Sequence, residues 1–118
     1  MPEYDLTIEV RPHPAGATVV VLAGELDHHT APRLHRMLEQ VPAALPVVLD
    51  LAGLGFCDSV GVAALLHALR RTEQAGTALV LVAVAPDLGH LLALTGVDRV
   101  LPRRATVAEA VEALRPPA

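Results

Sequence analysis

The stretch Pro46–Leu69, PVVLDLAGLGFCDSVGVAALLHAL, decides the fold that we predict for this chain. Its first residues, Val47–Leu51, are mostly aliphatic and β-branched, which is typical of a strand buried on both faces. Gly53 and Gly55 then interrupt the apolar run. Because glycine lets the backbone turn freely, we expect these two residues to form a loop at the end of the strand.

An amphipathic helix is predicted after this loop. Its apolar residues recur at intervals of three and four, at Val62, Leu65, Leu66 and Leu69. That spacing places them on one face of a helix. Asp58 and Ser59 stand directly before it, and both side chains can accept hydrogen bonds from the unpaired amides of a first helical turn. Taken alone, this pair is more simply a helix cap than a functional site.

The whole chain is predicted to fold as β-β-α-β-α-β-α-β-α. Alternating residues at Tyr4–Val10 and an apolar run at Thr18–Ala23 indicate an antiparallel hairpin, with its turn at Pro12–Gly16. The other flanking elements are a helix begun by Thr30 and closed by Pro42, a strand at Thr77–Ala83, a helix from Pro86 to Gly96, an edge strand at Arg99–Leu101, and a helix from Thr106 to Leu114 that Pro116-Pro117 ends. We therefore expect one α/β (α+β) domain over residues 1–118, with helices packed on a mixed β-sheet.

Composition argues against several classes of function. Aromatic residues make up 2% of the chain and the net charge is −4, so neither base stacking nor a phosphate backbone is favoured. The single cysteine, Cys57, excludes an internal disulfide and a cysteine-based zinc cluster, and it fits a reducing compartment. The most apolar run is far shorter than the roughly 20 residues that cross a bilayer. We expect a cytoplasmic protein without a signal peptide, membrane insertion or a nucleic acid partner.

Several short motifs are spread over the whole chain. They are Gly24-Glu25-Leu26-Asp27 with Thr30-Ala31, Leu49-Asp50-Leu51, Asp58-Ser59-Val60-Gly61, Leu91 with Gly96, Val100-Leu101 and the tail helix Thr106–Leu114. In these motifs and their order the chain resembles STAS domains, most closely the free-standing anti-sigma factor antagonists of bacteria. Asp-Ser-x-Gly is a short pattern, but its position between a buried strand and an amphipathic helix makes the resemblance more specific.

The resemblance implies a STAS-like fold and a phosphorylation switch. Its partner would be an anti-sigma factor that is also an ATP-dependent serine kinase, opposed by a phosphatase. The unphosphorylated antagonist would bind this kinase and free a sigma factor, and phosphorylation of Ser59 would release the kinase. The residues predicted to bind the partner are Asp27, Gly55, Asp58, Ser59, Val60 and Gly61. Val60 is bulkier than the residue often found at its position, and the His28-His29 pair does not belong to the pattern.

Two other kinds of STAS module fit the same motifs: a scaffold that is not phosphorylated, and a subunit of a membrane transporter complex. A serine hydrolase with Ser59 as nucleophile fits less well. The strand-to-helix turn of such enzymes needs glycine two residues before the serine, where this chain has Cys57. A base such as His67 or His90 would also have to pair with an acid such as Asp98.

Metal and phosphate sites are also disfavoured. Asp27, His28 and His29 are possible ligands, but adjacent residues on a turn seldom converge on one ion. Gly53 and Gly55 are not followed by the Lys-Ser/Thr pair of a phosphate-binding loop. We therefore predict that the protein is not an enzyme, has no catalytic residue, and needs neither a metal nor another cofactor.

Overall fold

A single mixed sheet forms the centre of the computed structural model, which describes residues 5–115. The elements in chain order are β1 (Leu6–His13), β2 (Ala17–Leu26), α1 (Ala31–Leu38), β3 (Val47–Cys57), α2 (Ser59–Gln74), β4 (Leu79–Val82), α3 (Pro86–Leu94), a 3₁₀-helix (Val97–Arg99), β5 (Arg103–Arg104) and α4 (Val107–Leu114). The strands lie side by side in numerical order, with β1 antiparallel to β2 and every other pair parallel. The predicted fold and element order are confirmed, whereas Tyr4 and Pro116-Pro117 lie outside the described residues.

The sheet is covered by helices on both faces. On one face Leu49 and Leu81 belong to a core that also holds side chains of α1, α2 and α3. On the other face Val48 and Val80 pack with Ala110 of α4. Because successive side chains of a strand point to opposite faces, β3 and β4 are apolar at nearly every position, as predicted for strands buried on both sides. Between residues 5 and 115, no helix combines the length and the apolar character needed to cross a membrane.

Gly53 and Gly55 lie inside β3, so the predicted glycine loop is wrong. The strand pairs with β2 as far as Cys57, and neither glycine has a positive φ. A Cβ atom at Gly53 would lie 2.8 Å from the Cβ of Ala23 on the neighbouring strand. The absence of a side chain at Gly53 therefore allows close strand packing instead of a turn. The strand leads into α2 through Asp58 alone.

The predicted edge strand at Arg99–Leu101 is also wrong. The amides of Val100 and Leu101 both donate to the carbonyl of Val97, at 3.0 and 3.1 Å, so this segment closes as a helical turn. The edge strand begins after Pro102, whose carbonyl accepts a hydrogen bond from the amide of Leu81 at 2.9 Å. Proline suits this position because its carbonyl can join the ladder and no amide is required of it.

Several other boundaries differ from the sequence prediction, among them those of β2 (predicted as Thr18–Ala23), β4 (predicted as Thr77–Ala83), β1 and α1. β1 continues through Pro12 to His13, so the hairpin turn contains only Pro14–Gly16. Pro12 is tolerated there because β1 lies at the edge of the sheet. The helix α1 ends at Leu38, four residues before Pro42, and Thr30 caps it without a side-chain hydrogen bond to the helix.

Leu65 provides a test of this core. Its side chain is fully buried in the core that joins α2 to the sheet, whereas the side chain of Leu94 is 71% exposed at the end of α3. We expect Leu65→Ala to lower the free energy of unfolding by about 2–5 kcal/mol, because it leaves a cavity. Leu94→Ala should change it by less than about 0.5 kcal/mol. Urea denaturation of both variants measures the difference, and equal effects would contradict the described packing.

Candidate functional site

The start of α2 lies at the carboxyl end of β3, where Asp58 caps the helix. Its Oδ1 atom accepts a hydrogen bond from the amide of Gly61 at 2.9 Å, and its carbonyl accepts one from the amide of Val62 at 2.9 Å. Ser59 is the first residue of the helix. The predicted position of this pair is confirmed, with Asp58 alone acting as the cap.

Ser59 presents its side chain to solvent at this helix start. The hydrogen bonds found between residues 5 and 115 do not include its hydroxyl group. The first amides of a helix have no partner within it, and they carry the positive end of the helix dipole. These amides and the helix dipole would therefore stabilise a negative group attached to Ser59, whereas the adjacent carboxylate of Asp58 would repel it.

Gly61 is buried and brings α2 close to the end of β2. A Cβ atom at this position would lie 2.4 Å from the carbonyl oxygen of Leu26 and 2.6 Å from Sγ of Cys57. The first turn of α2 can approach the strand this closely only because residue 61 has no side chain. Gly61 is one of the residues predicted to bind the partner. Because it is buried, it can contribute by positioning the helix, but it offers no surface for contact.

Asp27 follows β2 as Asp58 follows β3, since Leu26 and Cys57 are paired in the parallel ladder. The Asp27 carboxylate accepts hydrogen bonds from the amides of His29 and Thr30, at 2.9 and 3.2 Å. Partial desolvation raises the pKa of Asp27, but the hydrogen bonds from Thr30 and His29 outweigh it, so the pKa is lowered overall. This carboxylate remains charged and holds the turn that leads into α1.

Two large apolar side chains flank the polar pair. Phe56 is 49% exposed and Val60 is 43% exposed, on the two sides of Asp58 and Ser59. Phe56 was not predicted as a site residue, because the sequence analysis expected a loop there, whereas the structure places it near the end of β3. A shift of the β2–β3 register between Gly24 and Glu25 precedes the pairing of Phe56 with Glu25. The only signal in the sequence was a lone phenylalanine beside a polar pair.

A cleft of about 220 Å³ adjoins this surface, between the end of β3 and the start of α3. Its lining includes Gly55, Phe56, Cys57 and Asp87. Burial, with a smaller contribution from the charge of Asp58, raises the pKa of Cys57 to about 12. The thiol is therefore protonated near neutral pH, when it is a poor nucleophile.

His67, one of the two bases considered for a serine hydrolase, does not lie beside Ser59. His67 lies eight residues further along α2, which is about 12 Å along the helix axis. Its ring instead packs against that of His35, with the ring centroids 4.4 Å apart. His28 and His29 pack on each other with centroids 4.0 Å apart. In the part of the chain that the structure describes, no three side chains are grouped as a metal site would require.

Comparisons with known proteins agree with this geometry. The family model described as STAS domain matches residues 7–110. An anti-sigma F factor antagonist of Paenibacillus polymyxa is 31% identical over 101 residues, which are 83% of this chain and 86% of the relative. An anti-sigma-B factor antagonist of Listeria monocytogenes is 27% identical over 82% of this chain and 87% of its own length. The crystal structure of an anti-sigma factor antagonist from Mycobacterium paratuberculosis superposes with a TM-score of 0.82 at 31% identity, covering 94% of this chain and 95% of that one.

The role of Gly61 can be tested against Gly55. In a helix, alanine is ordinarily favoured over glycine by up to about 1 kcal/mol. We expect the opposite for Gly61→Ala, with a loss of about 1–3 kcal/mol in unfolding free energy, because the backbone of Leu26 cannot make room. Gly55→Ala is the matched control, since its nearest contact would be 3.8 Å away. Urea denaturation distinguishes the two, and a stabilising Gly61→Ala substitution would refute the close approach.

Proposed function

This chain belongs to the STAS domain family, and we propose that it acts as an anti-sigma factor antagonist whose binding is switched off by phosphorylation of Ser59. Unphosphorylated, it binds an anti-sigma factor that is also a serine kinase, and a sigma factor is released. Relatives that carry the antagonist name at 31% identity support the general role. Because these partners control transcription, we place the exchange in the cytoplasm, and a phosphatase completes the cycle.

The observation that carries the switch is the free hydroxyl of Ser59 at the start of α2. Ser59 is the only serine in the chain. Two of the threonine hydroxyls are already engaged: Thr30 donates to the carbonyl of Glu25 at 2.8 Å and Thr72 to that of Leu69 at 2.7 Å. Both threonines are also buried. Ser59 is therefore accessible to a kinase, and its hydroxyl can be phosphorylated without first breaking a hydrogen bond within the protein.

We define the docking surface as Asp27, Gly55, Phe56, Asp58, Ser59 and Val60. It combines two exposed apolar side chains with polar ones, and aromatic residues such as Phe56 are enriched at protein interfaces. Phe56 and Val60 supply apolar area for the partner. Gly61 fixes the helix that carries Ser59, as its backbone contacts require. The protein itself contributes a binding surface and a phosphate acceptor, and in this proposal it performs no catalysis and holds no cofactor.

A phosphate on Ser59 would change binding more than folding. It adds about −1.5 to −2 charge near neutral pH. Within the protein this charge faces the amides at the start of α2, which offsets the repulsion from Asp58. Against a partner, the same charge must lose water in a surface that already carries two carboxylates, Asp27 and Asp58. Unpaired charge at an interface weakens affinity strongly, so the phosphorylated protein should dissociate.

The phosphoacceptor can be tested with ATP and the candidate anti-sigma kinases encoded in the same genome. We expect the wild-type protein to incorporate one phosphate as phosphoserine, and Ser59→Ala to incorporate none while remaining bound to the kinase. Thr106→Ala is the control, because Thr106 caps α4 and lies on an exposed helix start too. Mass spectrometry locates the phosphate. Phosphate on a threonine would refute the assignment, and tight binding without any phosphate would indicate the scaffold function instead.

A second pair of variants distinguishes the effect of a negative charge on kinase binding from its effect on stability. Ser59→Asp should weaken kinase binding by about tenfold, since one carboxylate carries less charge than a phosphate. Its melting temperature should stay close to wild type, because a carboxylate at a helix start interacts with the dipole by about 0.3–1 kcal/mol. Ala108→Asp adds the same charge in the first turn of α4 and should leave binding unchanged. Titration and scanning calorimetry measure both quantities, and a large loss of melting temperature in Ser59→Asp would contradict the switch.

A further inference from the structure

A cavity of about 260 Å³ that opens to solvent lies at the opposite end of α2 from Ser59, bordered by the segment that connects α1 to β3. Eight of its eleven lining residues have hydrocarbon side chains. Leu38, Val47 and Ala68 form buried parts of this lining, and Val41 and Leu45 come from the connecting segment. The cavity is therefore an apolar space that the core does not fill.

Arg71 is the cationic residue of the cavity lining. It is half-buried, and no carboxylate between residues 5 and 115 forms an ion pair with it. Thr72 also lines the cavity, but its hydroxyl already donates to the carbonyl of Leu69 at 2.7 Å. An apolar space with an unpaired guanidinium group complements a ligand with a hydrocarbon chain and one negative end.

We propose that this cavity binds a medium-chain aliphatic carboxylate, with the chain among the apolar residues and the carboxylate on Arg71. A guanidinium group can donate two parallel hydrogen bonds to a carboxylate, which fixes the orientation of the ligand. The cavity volume of about 260 Å³ corresponds to about nine water-sized groups, so octanoate, with about ten non-hydrogen atoms, matches it in size. A longer chain would leave part of its length in solvent.

Three probes with the same number of carbon atoms separate the charge contribution from the apolar one. Octanoate, octanol and octylamine are titrated into the 15N-labelled protein, and amide chemical shifts locate each probe. We expect octanoate to shift the amides around Leu38, Leu45 and Ala68, and to bind at least about tenfold more tightly than octanol. Octylamine should bind more weakly than octanol. Equal affinity for octanoate and octanol, shifts elsewhere in the protein, or no binding at millimolar octanoate would overturn the proposal.

Arg71→Met tests the guanidinium group, and Arg70→Met is its matched control. Arg70 is exposed and absent from the cavity lining, yet its loss removes the same charge from the same helix. Arg71→Met should reduce octanoate affinity to the level of octanol and leave octanol binding unchanged, whereas Arg70→Met should retain wild-type selectivity. Equal losses in the two variants would mean that only general charge matters, which contradicts the proposal. Since Ser59 lies at the far end of α2, neither result depends on the antagonist function.

Discussion

The close approach of α2 to the end of β2 is the constraint on which the rest of the site depends. A side chain at residue 61 would collide with the carbonyl oxygen of Leu26, so the backbones of helix and strand meet directly. Asp58 stabilises the same junction, because its carboxylate accepts a hydrogen bond from the amide of Gly61. Because one end of the helix is fixed by backbone contacts, Ser59 is held in a defined direction at the surface of a rigid sheet.

This junction explains how a small chemical change could alter binding without unfolding the protein. Ser59 lies outside the core, and its hydroxyl does not hold the helix start together. A negative charge added to Ser59 can interact favourably with the unpaired amides at the start of α2. The same charge faces any partner that binds this surface. The other end of α2 has a different character, because it borders an apolar cavity that Arg71 also lines. One helix thus carries two chemically distinct sites.

Local sequence patterns predicted the elements that depend on local interactions. The Asp58 cap, the apolar face of α2 and the apolar runs of β3 and β4 follow from propensity and periodicity, and the structure confirms them. Several of the errors arose where a neighbouring strand decides the outcome. From the sequence alone, Gly53 is predicted to be a loop residue, because its packing against Ala23 is not visible there. The direction of the Phe56 side chain depends on a register shift between β2 and β3. The burial of Gly61 likewise depends on Leu26, which is distant in sequence.

The central claim is that the protein meets its partner through the docking surface at the start of α2. Amide chemical-shift mapping of the 15N-labelled protein, with an anti-sigma kinase from the same genome added, tests it most directly. We expect the largest changes on Phe56, Asp58, Ser59 and Val60, with smaller ones on Asp27, and we expect them to disappear when residue 59 is phosphoserine. Changes centred on the outer face of α4, or changes that persist in the phosphorylated protein, would contradict it.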